Sequence, residues 1–152
     1  PGFYVGFPAM AIGGARRVLD EFEKHTAGRV RFSGVNEKDS PTSQRVLAKL
    51  RMEMLTAESL MAEYIRMMEN DKGGPYEGAK YKVIRATIIE KCTEIGVRAL
   101  LTLGGHALLK GHPVELFSRD LIAIATHITS LYEDGLIGYG RHLFGVQTNI
   151  QG

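Results

Sequence analysis

The sequence predicts an all-α fold: an antiparallel four-helix bundle with a short extra helix at the C-terminal end. Three observations carry that expectation. Apolar residues recur at the three-and-four spacing of a helix face through long segments. Glycine- or proline-rich breaks separate those segments, and little in the sequence alternates as a strand does. Four amphipathic segments joined by three breaks fold most simply as one bundle domain spanning residues 1–152.

The first helix is expected from about Phe7 to His25, with Gly28 as its stop because glycine takes a left-handed backbone without a Cβ penalty. Gly13-Gly14 inside it costs roughly 1 kcal/mol per glycine in helix propensity, which points to close helix packing. A loop follows, RVRFSGVNEKDS, and Ser40 with Pro41 opens the second helix as N-cap and first residue. Leu47, Leu50, Met54, Ala57 and Met61 form its apolar face, and Met52, Met67 and Met68 read as further core and interface filler. Gly73-Gly74-Pro75 is the next turn.

The third helix runs from about Lys80 to Leu103 with Ile84, Ile88, Cys92, Ile95 and Ala99 as its stripe. Cys92 lies on that stripe and reads as a small buried hydrophobe, with no base nearby in sequence to make it a nucleophile. Gly104-Gly105 ends the helix, and the fourth runs from about Val114 to Leu131. The stretch YEDGLIGYGRHLFG adds the short last helix. Its glycines 135, 138 and 140 follow no strand, so close packing or a kink is favoured over a phosphate cradle.

Composition narrows the function. At 44% hydrophobic and 24% charged residues the chain is globular rather than disordered. A net charge of +2 without a basic block argues against nucleic acid. The apolar runs fall short of a membrane span, and one cysteine allows no internal disulfide, so a cytoplasmic protein is expected. The N-terminal PGFYVGFPAMAIGG has neither a basic leader nor an initiating methionine, which suggests a piece of a longer protein.

Five histidines are the obvious chemical candidates. His25, His106, His112, His127 and His142 show no metal-ligand spacing, so no metal is expected. His25 and His142 fall near helix ends, where an imidazolium suits the helix dipole. His127 is placed differently, inside the apolar run LIAIATHI with Asp120 seven residues earlier on the same expected face. On these residues alone a satisfied core or interface histidine is the commoner outcome, and an acid–base role is the sharper one. Arg29 and Arg31 at the end of the first helix form a second constellation. Their donor forks suit phosphate, although a solvated helix end is more usual.

Together these residues show a resemblance. Arg29-x-x-Phe32 followed by Gln44 resembles the arginine, phenylalanine and glutamine after the first bundle helix of the acyl-CoA dehydrogenase superfamily, with four extra residues in the loop. Gly104-Gly105, then Pro113, then Arg119-Asp120 is the most specific part, five positions in order at about the right distances. The chain thus resembles that superfamily's C-terminal helical domain up to about Gly145. In the common dehydrogenases a catalytic glutamate and a Gly-Thr motif follow the Arg-Asp pair. Here the stretch is ATHITSLYED, without Glu-Gly-Thr. His127 is similar instead to the histidine of the two-component flavin-dependent monooxygenases of group D.

The resemblance implies a flavin-dependent oxidoreductase in which a partner reductase supplies reduced FMN or FADH2. Molecular oxygen is then used to hydroxylate an aromatic or heteroaromatic substrate. It implies His127 as the catalytic residue, acting on the substrate proton or as a hydrogen-bond donor. It implies Arg29, Phe32, Gln44, Gly104 and Gly105 as contacts to the flavin nucleotide, often that of a neighbouring subunit, within a homotetramer. It also implies an N-terminal helical domain and a middle β-domain in the full protein. Two other classes stand beside this one: an acyl-CoA dehydrogenase with a displaced base, and a non-catalytic oligomerising bundle.

Overall fold

The computed structural model describes residues 2–71 and 75–146, and the side chains of all of these except 2–4, 75–77 and 129. The expected Gly73-Gly74-Pro75 turn lies largely outside the described residues. Five α-helices account for the fold: α1 (Gly2–Gly28), α2 (Pro41–Glu69), α3 (Pro75–Leu103), α4 (Pro113–Ala125) and α5 (Tyr132–Leu143). Among the described residues no strand forms, and a lone bridge between Val30 and Asn36 closes the first loop. None of the described helices is long and apolar enough to cross a membrane.

The expected stripes become the core. Leu50, Met54 and Ala57 of α2 are buried with Ile88, Cys92, Ile95 and Ala99 of α3, against Val18, Leu19 and Phe22 of α1. Burying such side chains out of water is the main stabilising term, at about 25 cal/mol per Å² of apolar surface. The thiol of Cys92 is fully buried, and burial pushes its pKa up to about 12. α3 is the central element, packed against each of the other four helices.

The structure differs from expectation at several helix ends. α1 starts earlier and runs through Pro8, which is buried. It stops at Gly28, but not by a left-handed turn: the positive φ values belong to Gly34, Gly104, Gly111 and Gly145. Ser40 stands at the start of α2 with Pro41 behind it, yet its hydroxyl makes no cap bond. α4 ends at Ala125, six residues short of Leu131, because Thr126 folds its hydroxyl back onto the carbonyls of Ile122 and Ala123 (3.1 Å each).

Glycines set how closely the helices approach. A Cβ on Gly14 would stand 3.3 Å from Leu121 Cδ2, and one on Gly96 would stand 3.0 Å from Ser118 Oγ and 3.2 Å from Leu121 Cδ1. A Cβ on Gly135 would meet the Val83 backbone at 3.3 Å, so α5 too lies close on α3. Gly13, Gly138 and Gly140 face open space. Close packing therefore holds for Gly14 and Gly135 but not for their neighbours. Chemical denaturation should separate the two classes. Gly96→Val should cost about 1–3 kcal/mol through overpacking. Gly13→Ala should gain about 0.5–1 kcal/mol, the helix-interior difference between the two residues. A neutral Gly96→Val would show that α4 can move away without loss.

Candidate functional site

Antiparallel connection brings the end of α1, the start of α2, the end of α3 and the start of α4 to one end of the bundle. The loop 29–40 covers part of that end. Arg31 folds it, donating Nε and Nη2 to the two carboxylate oxygens of Glu37 (2.7 Å each) and Nη2 again to Ser40 Oγ (2.9 Å). The Ser43 hydroxyl also donates to Glu37. The Arg31 hydrogen bonds, then that from Ser43, lower the Glu37 pKa from the usual 4.5 to about 2. Gly34, with φ 79°, completes the turn by donating its N–H to Arg31 O at 2.9 Å.

Arg31 is therefore committed to the loop, and the two arginines separate. Among the described residues Arg29 has no ion pair, and its Nη1 makes a long contact to the Leu103 carbonyl at 3.5 Å. That contact joins the first loop to Gly104-Gly105. Gly104 closes α3 by donating its N–H to Leu100 O (3.0 Å) and turns the chain with φ 77°. Gly105 opens the 3₁₀ turn Gly105–Leu108. A Cβ on either glycine would meet nothing within 4 Å, so the backbone there is open to an approaching group. Phe32 is wholly exposed on the loop. Gln44, in the first turn of α2, holds the Lys38 carbonyl with Nε2 at 3.1 Å.

The same end holds a cluster that sequence spacing did not reveal. His25 of α1, His106 of the 3₁₀ turn and His112 at the start of α4 pack ring to ring, with centroids 5.9, 5.5 and 5.8 Å apart. Eighty-one positions separate His25 from His106 in the chain, so only the fold could bring them together. The His25 pKa is lowered, by burial first and then by His112, Arg29 and His106. That reverses the expected helix-end imidazolium. Among the described residues no group of three or more histidine, cysteine or acidic side chains can hold a metal ion.

His127 lies at the opposite end. α4 spans 13 residues, so its two ends stand about 20 Å apart at 1.5 Å per residue. The residue is in the bend between α4 and the 3₁₀ turn Ile128–Ser130, not within a helix, so the seven-residue face shared with Asp120 does not carry through. It is exposed, where the apolar run had suggested burial, and its ring lies against Phe7 of α1 with centroids 4.9 Å apart. Arg119 of the Arg-Asp pair faces Glu115 at 3.4 Å, one helical turn back.

Two clefts among the described residues bear on these groups. The larger, about 610 Å³, runs along α3 between α2 and the α4–α5 turn, and Ala125, Ser130 and Tyr132 on either side of His127 line it. His127 itself does not, and the walls carry Glu53, Glu90 and Lys91, unlike an apolar pocket for an aromatic ring. The smaller, about 450 Å³, is formed by Lys24, His25, Gly28, Arg29, His112 and Pro113 with Glu21.

Residues 5–131 match the family described as acyl-CoA dehydrogenase, C-terminal domain, and the chain belongs to that family. No curated protein matches the chain. Solved structures share the fold at low identity. XiaF from Streptomyces sp., in complex with FADH2 and glycerol, has a TM-score of 0.86 at 15% identity over 98% of this chain and 39% of its own. Glutaryl-CoA dehydrogenase from Mycobacterium smegmatis gives 0.79 at 20% identity over 96% of this chain and 36% of its own. 3-HSA hydroxylase from Rhodococcus sp. RHA1 gives 0.79 at 19% identity over 96% and 39%. The chain thus spans less than two fifths of these proteins' length, and they include dehydrogenases and hydroxylases alike.

The loop geometry yields a pH dependence. Glu37 is ionised more easily in the fold than in the open chain, so its contribution is complete above about pH 4.5 and lost as pH falls towards 2. Carbon-detected NMR should place its midpoint near 2, and Glu37→Gln should speed amide exchange in residues 29–40 at neutral pH while α3 stays protected. A midpoint near 4.5 would mean that Arg31 does not hold the loop in solution.

Proposed function

We propose that this chain is the C-terminal helical domain of a flavin-dependent monooxygenase that hydroxylates an aromatic or heteroaromatic substrate with reduced flavin and O2. The observation that carries the proposal is His127. It occupies the turn after Arg119-Asp120 where the common dehydrogenases carry Glu-Gly-Thr, and no carboxylate stands in residues 121–132 to replace that base. Its ring is exposed beside Phe7 and the exposed Ile128, open to a substrate held against this surface by another domain.

The far end of the bundle suits a flavin nucleotide. Arg29 makes no ion pair among the described residues, Phe32 offers an uncovered ring face, and Gly104-Gly105 leave their backbone open. In this reading Arg29 binds phosphate, Phe32 and Gln44 hold the nucleotide, and the two glycines let it lie close. Reduced flavin, FMN or FADH2, supplies the electrons that activate O2. An imidazole nitrogen carries a lone pair, so His127 can take the substrate hydroxyl proton on a ring nitrogen and return it to water after turnover. The span of α4 keeps His127 from the Arg29 group, which favours Arg29, Phe32 and Gln44 serving the flavin of a neighbouring subunit in a homotetramer. A flavin reductase is the further partner, and a cytoplasmic setting fits such chemistry.

In the full protein His127→Ala should lower single-turnover hydroxylation by about 10²-fold or more, with flavin affinity kept within about twofold. Unchanged turnover would make His127 a packing residue. Anaerobic reduction of bound FAD by an acyl-CoA would replace this reading with a dehydrogenase. A tight assembly without any flavin affinity would replace it with an oligomerising bundle.

A further inference from the structure

We propose that His25, His106 and His112, with Arg29, form a binding site for a phosphate-type oxyanion whose occupancy is coupled to proton uptake. The proposal shares only Arg29 with the flavin reading and stands without it.

Three segments distant in sequence place the rings within 6 Å of one another, beside the 450 Å³ cleft. The charged groups lining that cleft are Glu21, Lys24 and Arg29. Glu21 is already paired with Arg17 at 2.8 Å, so its charge is largely spent and the cleft is left cationic. Burial first, and then His112, Arg29 and His106, oppose the protonation of His25. His25 is therefore held short of its proton while the site is empty. A bound dianion reverses the balance, because it attracts each proton that its neighbours repel.

His112 has a distinct part. Its Nδ1 accepts the Val114 N–H at 3.2 Å, so while that bond is made the ring offers an N–H only at Nε2. Protonating Nδ1 would break that cap. The uptake therefore falls to His25, while His112 Nε2–H and the Arg29 fork serve as standing donors. A site of this kind binds more tightly as pH falls through the imidazole range, and by linkage its ligand raises the imidazole pKa values.

Sulfate is the first probe, since its charge is constant between pH 6 and 8, and inorganic diphosphate is the second. Imidazole NMR of the full chain should show the His25 pKa rising when sulfate is added. Calorimetry should show sulfate binding about tenfold tighter at pH 6 than at pH 8, the effect of about half a proton taken up on average across that range. His25→Gln should flatten the pH dependence, and Arg29→Ala should weaken binding at both pH values. If a variant fails to fold, the wild-type His25 titration decides alone. A His25 pKa indifferent to sulfate and diphosphate, or an affinity equal at both pH values, would overturn the proposal. Competition with FAD or FMN identifies the source of the oxyanion. Displacement of diphosphate by flavin supports the cluster as the seat of a nucleotide's phosphates. Diphosphate binding untouched by flavin supports a free-anion site and counts against Arg29 as a flavin contact.

Discussion

Leu121 holds the bundle's geometry. It is buried on α4, and it reaches α1 at Gly14 and α3 at Gly96, two positions where even one added carbon would crowd it. A side chain locked between two glycines fixes both the depth of α4 and its position along its own axis. Everything chemical in the chain hangs on that placement. The start of α4 carries His112 to the imidazole cluster, and its end delivers His127 to Phe7.

The bundle therefore gathers its candidate groups at two ends, with the packed core between them. At one end glycines, Arg29 and three imidazoles meet where helices stop and start. At the other a single turn bears an imidazole on an apolar, exposed surface. The core between them is aliphatic and aromatic, with only a few buried polar groups.

Much of this was legible in the sequence because helix periodicity is local. The stripe from Ile84 to Ala99 needed only its own spacing to be placed in the core, and Gly104 needed only its position after an apolar run to end a helix. The Arg29, Phe32 and Gln44 pattern falls at one end of the bundle, the end where Gly104-Gly105 closes α3. What escaped was set by longer-range or finer effects. The histidine cluster joins residues on three elements, so no spacing rule could find it. The early end of α4 turned on one threonine hydroxyl competing for backbone carbonyls, and that placed His127 on the surface rather than in the interior. Arg29 and Arg31 looked alike in sequence, and only the position of Glu37 distinguished them.

The buried thiol has a practical consequence. The chain has one cysteine, and its thiol is sealed in the core with a pKa near 12, so at neutral pH it stays protonated and out of reach of alkylating reagents. Cysteines introduced at exposed positions such as Phe32 and Ile128 would then react alone, without first removing the native one. A pair of spin or fluorescent labels could be attached at the two ends of an otherwise unaltered domain, turning the separation between them into a directly readable ruler.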